Sequence, residues 1–129
     1  MALTPEVGAA VEEIRRGLPD ATLVVREEGE GGAVAIVEDV PLGCPWAQPS
    51  TWIGFRIAFS YPYADVYPHF VRGDLSRADG GQLGEALSPT TFEGRSAIQI
   101  SRRSNHRDPA IETALLKLEK VLAWLRSRP

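Results

Sequence analysis

The chain reads as a single α+β domain. Two amphipathic helical segments bracket a run of consecutive β-strands, and no helix separates one strand from the next. Strands that follow one another directly form an antiparallel meander. A doubly wound parallel sheet needs a helix between strands, so it is excluded. With 129 residues, 43% of them hydrophobic and 24% charged, residues 1–129 fit one globular domain with its own core.

The first helix is predicted from Thr4-Pro5, an N-cap followed by proline at the first helical position. Val7, Ala10, Val11, Ile14 and Leu18 recur at helical spacing, with Glu12, Glu13, Arg15 and Arg16 opposite them. Thr22–Val25 and Ala33–Val37 are rich in β-branched residues. The glycine-rich turn between them predicts a hairpin. Pro41 to Ser50 is expected to be a loop. Thr51 to Ser60 alternates Ile53, Phe55, Ile57 and Phe59 against Gly54, Arg56 and Ala58, which predicts a strand with one buried face. His69–Arg72 is a short fourth strand candidate. Asp74 to Pro89 is expected to form a long surface loop, and Ser96–Ser101 is ambiguous between helix and strand. A last helix is expected from Asp108-Pro109 to the end of the chain, with Ile111, Leu115, Leu118, Leu122 and Leu125 on one face.

The net charge of −3 gives no overall pull toward nucleic acid. One cysteine, Cys44, excludes an internal disulfide and a paired-thiol metal site, and two histidines without suitable carboxylate spacing argue against zinc. No glycine-rich phosphate loop is present, so no cofactor is expected. The first residues lack a basic stretch followed by an apolar one, and no apolar run is long enough to span a bilayer. A soluble cytoplasmic protein without membrane contact is therefore expected.

Residues 55–71 run Phe-Arg-Ile-Ala-Phe-Ser-Tyr-Pro-Tyr-Ala-Asp-Val-Tyr-Pro-His-Phe-Val. Two prolines fix φ and hold the chain in an extended turn, with tyrosine rings expected against the sheet edge. This stretch, within the order helix, meander, final helix, resembles the UBC fold of E2 (ubiquitin-conjugating) enzymes, their inactive variants and RWD domains. It is most similar to the divergent bacterial members found beside ubiquitin-like modifiers, E1-like enzymes and JAMM-type proteases. Five residues separate Pro62 from Pro68, more than the family usually has.

The resemblance implies a catalytic cysteine three residues after a glycine, on an extended stretch before the next helix. The matching stretch starts at Gly94, and Ala97 stands at the cysteine position. The family's His-Pro-Asn signature is also absent. The chain is thus expected to be an E2-like component that lacks the usual nucleophile and binds a ubiquitin-like modifier, an E1-like enzyme, or both. Two alternatives stay open: an atypical transferase using Cys44 or Ser96, and an RWD-like interaction module. Cys44 offers a thiol in a loop that the family's layout places far from its groove. Ser96 would need a base that the sequence does not supply. His106 is a further candidate base. Arg102, Arg103, Asn105 and His106 form the densest polar and basic cluster, suited to clamping a carboxylate or a modifier's tail. Trp46 is a candidate partner-binding aromatic, whereas Trp52 and Trp124 are expected to pack inside.

Overall fold

The computed structural model describes residues 3–102, 108 and 112–128. Helix α1 spans Pro5–Gly17. Thr4 Oγ1 accepts the Val7 N–H at 3.1 Å, so the expected cap forms. Val7, Ala10, Val11 and Ile14 are the buried stripe, and Leu18 packs half-buried just past the end. Six strands follow: β1 (Thr22–Glu28), β2 (Gly32–Pro41), β3 (Ser50–Ile57), β4 (His69–Arg72), β5 (Leu87–Phe92) and β6 (Arg95–Ile100). Helix α2, Ala114–Arg126, closes the fold.

All pairings are antiparallel, and the strand order is β1-β2-β3-β4-β6-β5. The α+β layout with terminal helices matches the expectation, but there are six strands rather than three or four. The extra two come from the stretch expected to be loop or ambiguous. Glu93 and Gly94 have φ of 49° and 78°, so this two-residue connection is left-handed at both positions, as a tight hairpin turn demands. β6 lies between β4 and β5, and Pro89 lies on the edge strand, where a missing N–H disturbs no neighbour.

Two boundaries and the packing of the tyrosines differ from expectation. β3 ends at Ile57 rather than Ser60, so Phe59 is 54% exposed instead of extending the buried row. Of the motif tyrosines, Tyr61 is buried, but it packs against the start of α2 rather than the sheet edge. Its hydroxyl accepts the Ala114 N–H at 3.0 Å. Tyr63 is exposed. α2 begins at Ala114, where the Thr113 side chain accepts the Leu116 N–H, and not at the Asp108-Pro109 signal. The Glu112 N–H donates to the Asp108 carbonyl at 2.8 Å.

The two sheet faces are covered differently. α1 and α2 cover the inner face, over Ala33, Ala35, Val37, Ile53, Phe55, Ile57, Val71, Ile98 and Ile100. The outer face holds a second cluster of Val34, Ile36, Phe70, Phe92 and Ala97, with Trp52 against it. Among the described residues no helix lies there. The β5–β6 hairpin supplies the cover by curling its tip back over the sheet. Phe92 stacks on Phe70 with centroids 4.4 Å apart and on Trp52 at 6.1 Å. Its ring occupies the space above Gly54 in β3.

Side-chain ties hold the hairpin tip to three strands. Glu93 bonds Arg26 of β1 and, at 2.6 Å, Arg56 of β3. Arg95 grips Glu38 of β2 through two hydrogen bonds of 3.0 and 3.3 Å. These pairs are partly exposed, so each contributes about 0–1 kcal/mol. Full burial of the Phe92 ring contributes about 1.5–3 kcal/mol. The aromatic stack therefore sets the curl, and the ion pairs fix its direction.

Gly54 is the point where this geometry is least tolerant. A Cβ there would lie 2.4 Å from Phe92 Cε2. Gly54→Ala is expected to destabilise the fold by about 1–3 kcal/mol in urea unfolding. Gly8→Ala, in α1 with nothing within 4 Å of the added Cβ, is expected to stabilise it by about 0.5–1 kcal/mol. A neutral Gly54→Ala would show that the Phe92 ring does not depend on the missing side chain.

Candidate functional site

A groove of about 440 Å³ lies at one end of the sheet. Glu38, Asp39, Ser50, Thr51, Trp52, Arg72, Gly73, Asp74 and Ser96 line it. A bulge in β2 builds one wall. Between Val37 and Val40, two residues of β2 oppose Trp52 alone, and Asp39 takes a left-handed φ of 55°. This extra residue carries the Glu38 and Asp39 carboxylates to the groove. On the opposite wall Arg72 grips Asp74 with both arms, at 2.5 and 2.8 Å, and donates to the Ser50 carbonyl at 3.0 Å. The hydrogen bonds from Arg72 hold the Asp74 carboxyl below the usual carboxylate range. Thr51 is buried, and its hydroxyl accepts the Arg72 N–H and donates to the Trp52 carbonyl. Trp52 lies beneath the Arg95 guanidinium at 5.0 Å.

Ser96 lies in this groove, exposed, with its hydroxyl against the backbone of Gly73. No hydrogen bond links it to a base among the described residues. Ala97 is buried at the centre of β6, paired with Arg72 of β4 and Thr90 of β5, beside Phe92. The expected extended stretch before a helix is therefore a paired strand. A thiol at that position would be sealed beneath the hairpin.

Cys44 is exposed in the β2–β3 loop and is not part of the groove lining. Its loop is clasped to residues 76–78 through backbone bonds from Ala47 to Ser76 and from Ala78 to Pro45. The structure corrects the reading of Trp46 as a partner-facing aromatic. It is buried, and its Nε1 donates to the Leu125 carbonyl at 2.8 Å, so the ring closes the C-terminal end of α2. Trp52 is half-buried on the outer face rather than fully inside.

Arg102 is exposed with its guanidinium 5.1 Å from the Trp124 ring centroid, and Arg128 lies 4.2 Å from the same centroid. Trp124 is half-buried and shared by two cations. Arg103, Asn105 and His106 lie outside the described residues. The sequence does not mark the groove residues Glu38, Asp39, Arg72 and Asp74 as a site. One signal was present: the polar pair Glu38-Asp39 interrupts a β-branched run between Val37 and Val40, as a bulge does.

On the inner face a polar cluster lies under α2. Lys117 Nζ contacts Asp65 Oδ2 at 3.0 Å, and both side chains are largely buried. His69 is 1% exposed, tilted against Phe55 at 5.2 Å, with neither ring nitrogen hydrogen-bonded. Among the described residues no group of three His, Cys, Asp or Glu could hold a metal, and no helix is long and apolar enough to cross a membrane. The chain matches no family model, no curated protein and no solved structure.

Burial lowers the His69 pKa from 6.5 to about 3, with the Lys117 charge adding to the effect and Asp65 opposing it. Above the unfolded value neither state is protonated and His69 adds no pH dependence. Below it the unfolded chain takes up a proton that the native chain refuses, so stability falls until the folded pKa is reached. Relative to His69→Leu, which removes this titration, the wild type is expected to lose about 1 kcal/mol between about pH 7 and pH 5.5. Urea unfolding of both proteins at each pH checks it. Parallel pH profiles would contradict a buried neutral imidazole.

Proposed function

We propose that this protein is a noncatalytic E2-like component of a bacterial ubiquitin-like conjugation pathway, binding the modifier or its E1-like enzyme. One observation carries the noncatalytic part. Among the described residues neither candidate nucleophile is hydrogen-bonded to a base: Ser96 lies in the groove without one, Cys44 lies outside the groove, and His69 is sealed in the inner core. Acyl transfer from a modifier needs an activated nucleophile in reach of its tail.

The partner-binding part is supported by the Arg102–Trp124–Arg128 surface. Two guanidinium groups on one indole offer bidentate donors and an apolar platform together, a combination suited to an acidic or carboxylate-ended tail. The E2-like part rests on the leading helix, the β1–β4 meander and the Tyr61 to Pro68 stretch. The β5–β6 hairpin is a departure from that layout, since it replaces the stretch that would carry the cysteine. An RWD-like interaction module shares every one of these features and differs only in its partner.

The test uses a ubiquitin-like modifier and an E1-like enzyme encoded beside the gene. Calorimetric titration is expected to show binding to at least one of them. Arg102→Ala with Arg128→Ala is expected to weaken it about five- to thirty-fold. No modifier adduct is expected in the presence of E1 and ATP. An adduct that is lost in Cys44→Ala or Ser96→Ala would establish a transferase instead. A gene neighbourhood lacking both proteins, or no binding to either, would leave the interaction-module reading.

A further inference from the structure

We infer that a second copy of this chain docks on the C-terminal half of α2 and forms a twofold homodimer. The inference is independent of any conjugation pathway, because it comes from the pattern of charge and apolar surface along one helix face.

A mainly apolar groove of about 240 Å³ runs between α2, the end of α1 and the end of β2. Leu18, Val40, Pro41, Leu122 and Ala123 line it together with Glu119 and Arg126. Arg126 is held in place, since its Nε and Nη2 both donate to the Pro41 carbonyl, at 3.0 and 2.7 Å. Glu119 and Arg126 are exposed, and among the described residues neither forms an ion pair. The neighbouring Lys120, in contrast, is bonded to Glu112. One free carboxylate and one free guanidinium therefore stand at the two ends of an apolar groove.

Their spacing is self-complementary. Glu119 and Arg126 are seven residues apart on α2, nearly two full turns, so they share one face about 10.5 Å apart. A twofold axis passing between Leu122 and Ala123 reverses the helix end for end. It sets Glu119 against the partner's Arg126, and Leu122 against the partner's Ala123. Two ion pairs then flank two apolar contacts, and each surface supplies what the other lacks, as an isologous interface requires. The small, exposed Ala123 lets the helix axes approach to about 8–10 Å, with its methyl group in the partner's groove. A purely acidic partner would oppose Glu119, and a purely basic one would oppose Arg126. A second copy satisfies both charges. Trp124 is two residues before Arg126 and so lies on a different side of α2, which keeps this face separate from the Arg102–Trp124–Arg128 surface.

Sedimentation equilibrium of the full chain at low salt, up to about 1 mM, measures the association. A monomer–dimer equilibrium is expected, weakened in about 1 M NaCl. Glu119→Arg and Arg126→Glu each turn two attractive contacts into two repulsive ones, and each is expected to raise the dimer dissociation constant about ten-fold. In an equimolar mixture of the two variants every introduced charge meets its opposite. The mixture is expected to form a one-to-one heterodimer that neither variant forms with itself. Glu119 has no partner in its own chain, so Glu119→Arg carries the test alone if Arg126→Glu does not fold. Glu30→Arg makes the same change in net charge as Glu119→Arg on the exposed β1–β2 turn and is expected to leave association unchanged. The inference is overturned if the wild type stays monomeric, or if either α2 variant associates like the wild type. It is also overturned if Glu30→Arg weakens association equally, or if the mixture of folded variants associates no better than its components.

Discussion

Gly54 has no side chain, and the ring of Phe92 lies in the space a side chain would fill. Most of the outer face depends on that vacancy. A sheet with helices on one side leaves its other side to water, and such strands usually alternate polar and apolar residues. β2 does not alternate: every residue from Gly32 to Val37 is buried. Both described helices lie on the inner face. The hairpin tip covers the outer face instead, at the cost of about one aromatic ring and a few surface ion pairs. The ring can settle only where the strand beneath it is flat, and Gly54 makes it flat.

That arrangement explains what the sequence did and did not disclose. Helix α1 was legible because its cap, its proline and its apolar stripe agree. β3 was legible because Ile53, Phe55 and Ile57 alternate strictly. The hairpin was hidden because its signals are weak singly. Glu93-Gly94 is not one of the dipeptides most favoured for a two-residue turn, and Thr90-Thr91 looks as much like loop as strand. Read alone, Arg95–Ile100 shows an alternation of only Ile98 and Ile100. Only the fold reveals that Ala97 belongs to the opposite face. The start of α2 was missed because Asp108-Pro109 is the stronger local cap, while Thr113 wins through the bond between Ala114 and Tyr61.

Of the candidate site residues, the sequence identified chemistry better than place. Ser96 does line a groove, and Arg102 does join an aromatic and a second cation. Trp46 reads as a partner-binding aromatic because tryptophan is enriched at binding hot spots. It is buried because the α2 C-terminus presents a carbonyl that its indole N–H can satisfy. The Asp39 wall depends on a β-bulge, which shifts register by one residue and leaves only a break in alternation as its trace. Arg72 and Asp74 are two residues apart and look like an ordinary turn pair until β3 brings Ser50 and Trp52 beside them.

The two outer strands differ in what they offer a neighbour. β5 has Pro89 at its middle, with no N–H to give and a ring that obstructs close approach. β1 runs for seven residues without proline or glycine and exposes Val24 near its centre. Its charged end, Arg26-Glu27-Glu28, is the main safeguard against uncontrolled strand addition. Resistance to aggregation is therefore lopsided in this fold: steric at one margin of the sheet, and electrostatic, hence sensitive to salt, at the other.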